Sequence, residues 1–577
     1  MTRTLATLPL LLCLMLAGCG GSGTAPATPP SAPAASFSVV EASIPELQAA
    51  LQSGRLTSHQ LVEKYLERIG TYEDRLNAII TVNPHALADA DAMDKERAAG
   101  KVRGPLHGIP IALKDNIHTT DIRTTGGALA FRDLMPPYDA TLTKNLRDGG
   151  AVIIAKTVLT ELAHWTAGAP TPMVANYTGV AGFAYNPYDP RMDPRPDTFD
   201  GRPVLQTGGS SSGAGTAASF WAANVGSDTG GSIISPSNAN MLAGIRPTIG
   251  RISRHGVIPI TADHDTAGPM GRTVTDAAIL MGVLESAAPD PDDAATKACT
   301  PPPNRDYTPF LKADALKGVR IGVPRAFYYD PITAPGEKDP RGGLNPAQAT
   351  VMAEAIALLK AQGAEVVDPA DVPSIVTKDA KANFLLFDYC QGAEHKRGGD
   401  ANCTVNFKYG MKRDFNAWLK SLGDKAPVKS LTELREWNLA HAKAGSMRFG
   451  QSRLDISDEM DVERDRARNA ADVAKDAMLS RTQGIDAVLA ANTLDAILTP
   501  AGSGANLASR AGYPIIAVPF GLVPNAPSPP FPAGFTANPA PYGVTFTGAA
   551  CSEPKLIAIA YAFEQASKKR VPPPNLP

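Results

Sequence analysis

Charge of one sign, cysteine and long apolar runs are all scarce in this chain of 577 residues. Lys and Arg number 55 against 57 Asp and Glu, a formal charge of -2. A chain so balanced carries no global electrostatic footprint for nucleic acid or an anionic membrane. Six cysteines are too few for a disulfide scaffold, and with no CxxC pair among them nothing suggests a zinc site. The one extended apolar stretch, residues 5–16, is shorter than the roughly 20 residues needed to cross a bilayer. No repeat with a period of about 20–50 residues is visible. What is present is core-forming material: 44% of residues are hydrophobic and 19% charged, which excludes wholesale disorder.

The apolar stretch follows Arg3 and closes on Leu16-Ala17-Gly18-Cys19. It reads as a signal-peptide h-region, and its end resembles the lipobox of bacterial lipoproteins. On that reading residues 1–18 are removed, Cys19 is lipidated, and Gly20, in place of Asp, leaves the lipoprotein free to go to the outer membrane if the cell is Gram-negative. The alternative is an ordinary secretory signal with an incidental cysteine. Residues 20–36 contain only Gly, Ser, Thr, Ala and Pro, so residues 19–36 read as a flexible tether. Seventeen such residues reach at most about 55–60 Å when extended. An exported chain meets an oxidising compartment, which draws attention to Cys299, Cys390, Cys403 and Cys551. Cys390 and Cys403 flank a polar, glycine-containing loop and are the favoured pair, with the connectivity left open.

From residue 37 the pattern is α/β. Thr57 to Gln60 resembles a capping box before Leu61, Val62, Tyr65, Leu66 and Ile69, apolar positions at helical spacing. Short apolar runs at 109–113, 151–155, 319–323 and 515–518 read as strands buried on both faces, and 346–362 as a helix. The proline-rich stretches 289–303 and 524–541 read as surface loops rather than domain linkers. Residues 383–460 are more polar, mostly helical and scattered with aromatics; they read as a helical insertion or lid, or else as a packing layer remote from any site.

Chemistry concentrates in three places. Gly208-Gly209-Ser210-Ser211-Ser212-Gly213 leads into a helix expected over 216–224, and Ser227-Asp228-Thr229-Gly230-Gly231-Ser232 forms a second turn. Glycines let backbone N–H groups face a substrate, and serines beside such amides can act as nucleophiles. Gly209 to Gly213 also matches G-x-S-x-G, which would make Ser211 a nucleophile. That motif needs a strong preceding strand and a later Asp and His. Residues 203–207 make a poor strand, and His255, His264, His395 and His441 have no distinguishing context. The third place is Lys114, which ends the apolar run of GIPIALKD. A lysine there either finds polar partners, such as Asp115, or loses charge through desolvation and becomes a base near neutral pH.

Together, GIPIALKD, GGSSSG and SDTGGS resemble the amidase signature family of Ser–Ser–Lys hydrolases. Further matches are RGPLHG from Arg103, IRPT from Ile245, DTAGPM from Asp265, AGYP from Ala511 and YAFEQ from Tyr561. They span nearly the whole of residues 37–577, with bacterial peptide-amidase-like and general amidases nearest in pattern. The resemblance implies one large α/β domain with a mixed central sheet flanked by helices, plus the helical insertion at 383–460. It also implies catalysis by Lys114, a bridging Ser210 that follows a cis peptide bond, and the nucleophile Ser232. Backbone N–H groups of Thr229, Gly230, Gly231 and Ser232 would form the oxyanion hole. No metal or organic cofactor is implied, and the expected partner is a small-molecule or peptide amide.

The two serines stand slightly closer together than in the family pattern, and the shortfall is placed near the end of the expected helix 216–224. The interval from Lys114 to Ser210 is longer, the excess falling in residues 170–203, where it would shape the substrate entrance. The reading is an exported amidase that meets the membrane only through its lipid and binds no nucleic acid. The alternatives are a catalytically inactive binding lipoprotein and a glutamine-hydrolysing amidotransferase subunit.

Overall fold

The computed structural model describes residues 37–196, 200–209, 213–392, 400 and 403–576. The expected leader and tether, with Cys19, and Ser210, Ser211 and Ser212 lie outside the described residues, as does His395. From Val39 the chain forms one compact unit. Near its start the helix Ser58–Leu76 is capped as its sequence dictates. The Thr57 hydroxyl accepts from the Gln60 N–H at 3.1 Å, and the Gln60 side chain accepts from the Thr57 N–H at 3.0 Å. Leu61, Val62, Tyr65 and Ile69 turn one buried stripe inward.

The strands, in chain order, are β1 (Ile79–Val82), β2 (Pro110–Lys114), β3 (Val152–Thr157), β4 (Tyr177–Thr178), β5 (Gly182–Phe183), β6 (Ala223–Asp228), β7 (Ala243–Arg246), β8 (Thr266–Gly271), β9 (Arg320–Gly322), β10 (Glu365–Val367), β11 (Ala496–Pro500), β12 (Ile515–Val523) and β13 (Ala540–Thr547). β4 and β5 pair only with each other. The other eleven form one mixed sheet in the order β1-β3-β2-β6-β8-β7-β12-β13-β11-β9-β10. Every residue of β2, β3, β6, β7, β8 and β11 is buried, and β2 and β3 accordingly read as apolar runs rather than alternating ones. The expected strands and the helix Pro346–Ala361 all form. Among the described residues no helix is long and apolar enough to cross a membrane.

Two features differ from expectation. The helix read over 216–224 is a single turn, Ala214–Ala217. Trp221 causes the stop: its indole N–H donates to Thr216 Oγ1 at 2.7 Å, and its ring lies where a side chain on Gly215 would have to sit. Ser219 turns the chain at φ 57°, and strand β6 begins at Ala223. Second, residues 383–460 do form a packing layer, with the helices Asn406–Ser421, Leu431–Ala440 and Ser452–Asp458. Phe407, Met411, Phe415 and Trp418 share a core with Phe131 and Trp165. That layer is not remote from the glycine turns, because Phe407 reaches Gly230.

Both pairs of described cysteines are bonded. Cys390 joins Cys403, with Cα atoms 5.2 Å apart. Cys299 joins Cys551 across 252 positions, tying the loop after helix Val274–Leu284 to the turn before helix Glu553–Ser567.

Candidate active site

β2 and β6 run parallel, with Leu113 opposite Val225, so their carboxyl ends emerge side by side. The next strand, β8, is antiparallel to β6. Ligands of open α/β sheets gather at the carboxyl ends of strands where the order switches. Lys114 is the last residue of β2 and is fully buried. Its Nζ donates to Ser227 Oγ at 2.8 Å and to Ser227 O at 3.2 Å, at the end of β6. Asn116 Nδ2 donates to the same Ser227 oxygen at 2.9 Å. Burial pulls the Lys114 ammonium down to about 7, against the opposing attraction of the Asp228 and Asp265 carboxylates.

Asp115, the alternative partner for Lys114, is not used that way. Successive strand residues point to opposite faces, and Asp115 pairs with the buried Lys156 of β3 at 3.1 Å. It also accepts the Thr125 N–H at 2.9 Å and the Thr125 hydroxyl.

Beyond Ser227 the chain turns sharply around Asp228. Its Oδ1 accepts the Gly231 N–H and its Oδ2 the Ile233 N–H, each at 2.7 Å. Buried Arg246, from β7, donates to Oδ1 at 3.1 Å and to the carbonyls of His264 (2.9 Å) and Tyr513 (3.1 Å). Gly231 takes φ 124°, a conformation that residues with a side chain rarely adopt. One expectation is corrected here: the Gly231 N–H is committed to Asp228 and shapes the turn. Among the described residues, the N–H groups of Thr229 and Gly230 have no acceptor, and Gly230 is exposed. Thr229 is fixed through its side chain, whose hydroxyl donates to Asp265. Asp265 also accepts the N–H groups of Ile260 (2.9 Å) and Thr261 (3.0 Å), and burial raises its carboxyl to about 7. Ser232 follows, half-buried.

Ser210 is outside the described residues, but Gly209, its neighbour, lies against Ser232. A Cβ on Gly209 would stand 3.3 Å from Ser232 Cα and 3.6 Å from its Oγ. Asn176 Nδ2 donates to the carbonyls of Gly208 (2.7 Å) and Gly209 (3.0 Å), and Ser235 Oγ accepts the Gly209 N–H at 3.0 Å. Both glycine turns therefore meet at the carboxyl ends of β2 and β6. Of the later histidines, His255 stacks on Tyr138, His264 lies against Ser509 O and the Phe407 ring, and His441 stacks on Trp437.

Ser227, Asn116, Asp228, Asp265 and Asn176 escaped the sequence reading. Ser227 and Asp228 stand inside the quoted motif and Asp265 opens DTAGPM, so a polar residue at the end of a buried strand was the available signal. Asn176 had none; only the folded chain brings it to Gly208.

The Amidase family matches residues 60–557. A protein of Arabidopsis thaliana named "Probable amidase" is 33% identical over 544 residues, covering 93% of this chain and 92% of that protein. A glutamyl-tRNA(Gln) amidotransferase subunit of Thermosynechococcus vestitus is 30% identical over 545 residues, covering 92% and 99%. Among solved structures, the native peptide amidase from Stenotrophomonas maltophilia superposes with a TM-score of 0.76 at 32% identity, covering 92% of this chain and 98% of that one. An amidase family protein from Bacillus anthracis gives 0.74 at 29% identity, covering 93% and 92%. By sequence and by fold, this chain belongs to the Amidase family of C–N hydrolases.

Proposed function

We propose that this chain is an exported amidase in which Ser232 attacks a carboxamide carbonyl, Ser210 relays the proton and neutral Lys114 receives it. The observation that carries the reading is Lys114: fully buried, pulled down to about 7, and hydrogen-bonded to the residue from which the Ser232 turn departs. A neutral amine has two N–H groups and one lone pair. Ser227 O and Oγ accept its N–H groups, so the lone pair of the neutral amine serves a group other than Ser227. As the Ser232 Oγ–C bond forms, the carbonyl oxygen gains negative charge, which the N–H groups of Thr229 and Gly230 stabilise. The proton then returns through Ser210 to the nitrogen, the C–N bond breaks, and the amine leaves an acyl-enzyme. Water, deprotonated by the same relay, releases the acid and restores Ser232.

The likeness to a peptide amidase favours a small or peptidic amide. The likeness to amidotransferase subunits favours glutamine hydrolysis within a complex. The signal-like residues 1–18 and the two disulfides favour the exported enzyme, since disulfides persist in oxidising compartments. A panel of peptide C-terminal amides, aryl amides, aliphatic amides and glutamine, assayed for ammonia or amine release, tests the reading. Turnover of a non-glutamine amide by the isolated chain supports it; turnover of glutamine alone overturns it.

We also propose that Cys19 carries the lipid. Palmitate fed to expressing cells is expected to label the wild type and not Cys19→Ala. A mature wild-type protein that begins at another residue and stays unlabelled contradicts the anchor.

A further inference from the structure

Phe407 stands beside the Ser232 turn and packs with two further rings, none of which the proposed mechanism uses. The tip of Phe407 lies 4.0 Å from where a side chain on exposed Gly230 would begin. Tyr389 stacks on Phe407, with ring centres 4.7 Å apart and planes 18° apart. Trp165 closes the cluster at 5.0 Å from Phe407 and 5.8 Å from Tyr389. Trp165 and Phe407 are 2% and 7% exposed, whereas Tyr389 is half-buried, the most accessible residue of the three.

The backbone of Tyr389 is held from both sides. Cys390 N–H donates to Thr404 O at 3.2 Å, Thr404 N–H donates to Asp388 O at 2.9 Å, and the adjacent residues Cys390 and Cys403 are bonded. Arg453, which lies 5.1 Å from the Trp165 ring and 6.0 Å from the Tyr389 ring, donates to Gln391 Oε1 at 2.7 Å and to the His164 carbonyl. An aromatic surface locked this way, joined to the exposed turn through Phe407, suits a ligand ring better than a polar group, because rings gain by stacking and edge contacts beyond simple burial.

We propose that Tyr389, fixed by the Cys390–Cys403 disulfide and stacked on Phe407, is a specificity-determining residue that receives an aromatic or bulky apolar group next to the scissile amide. The proposal rests on the reading of Ser232 as nucleophile. Its test compares kcat/KM for N-acetylphenylalaninamide and N-acetylglycinamide, which share the amide and differ in the ring. The wild type is expected to favour the aromatic amide by at least about tenfold. Tyr389→Ala should cut that ratio about tenfold through KM for the aromatic amide, and Tyr389→Phe should retain it. The double variant Cys390→Ser/Cys403→Ser should shift the ratio in the same direction as Tyr389→Ala while keeping both rings. Turnover that depends on Ser232 but shows no preference for the aromatic amide, or a ratio that Tyr389→Ala leaves unmoved, overturns the assignment. Turnover of both amides that survives Ser232→Ala overturns the catalytic reading instead.

Discussion

Ser232→Ala is expected to lower amide turnover by at least about 10⁴-fold, because loss of the nucleophile from a serine hydrolase leaves only binding and oxyanion stabilisation. The fold should survive. Asp228 still receives the N–H groups of Gly231 and Ile233, and Gly231 keeps its φ of 124°, so the turn holds its shape without the hydroxyl. Circular dichroism and a thermal midpoint close to wild type, together with lost activity, are the expected pair of results. If Ser211 were the nucleophile of a G-x-S-x-G elbow, Ser232→Ala would leave substantial turnover and Ser211→Ala would abolish it.

Lys114 carries the second large effect. Lys114→Ala should cost several orders of magnitude in kcat/KM, since a serine hydroxyl without a base is a poor nucleophile. Lys114→Arg should fail comparably, because a guanidinium stays protonated throughout the accessible pH range. In the wild type the amine must be neutral, so kcat/KM should rise as pH increases through about 7. Asp265 titrates in the same window, so Asp265→Asn separates the two; a limb that stays near neutrality in that variant belongs to Lys114. The same depression affects stability. Between about 7 and the ordinary lysine value of 10.5 the unfolded chain binds the proton that the folded chain does not, so stability rises with pH across that window. Each unit of depression costs about 1.4 kcal/mol. Lys114→Met, which removes the ionisable group, is therefore expected to raise the thermal midpoint at pH 7 while abolishing turnover. A Lys114→Arg enzyme with substantial activity would reduce the lysine to a structural role.

The part of the sheet that was legible consists of apolar strands: 109–113 and 151–155, each preceded by a glycine, became the fully buried strands β2 and β3, whereas the polar β6 and the partly exposed β1 and β10 gave no such run. Lys114 was legible for the same reason, a long cation at the end of an apolar run. Its partner was not. Asp115 is adjacent in sequence yet points to the other face, and Ser227 lies 113 positions away on the parallel neighbour β6. The helix over 216–224 failed because its small residues fit a helix locally while Trp221 ends it through packing. Gly231 looked like an oxyanion donor because the family resemblance gives that role to the whole turn; the competing acceptor, Asp228, becomes visible only when the turn closes on it.

The most direct measurement is the site of covalent labelling by a fluorophosphonate, which phosphonylates an activated serine and displaces fluoride. Peptide mapping of the labelled wild type is expected to place the adduct on Ser232, with labelling lost in Ser232→Ala and strongly slowed in Lys114→Ala. An adduct on Ser211, or labelling that persists in Ser232→Ala, would contradict the assignment of the nucleophile.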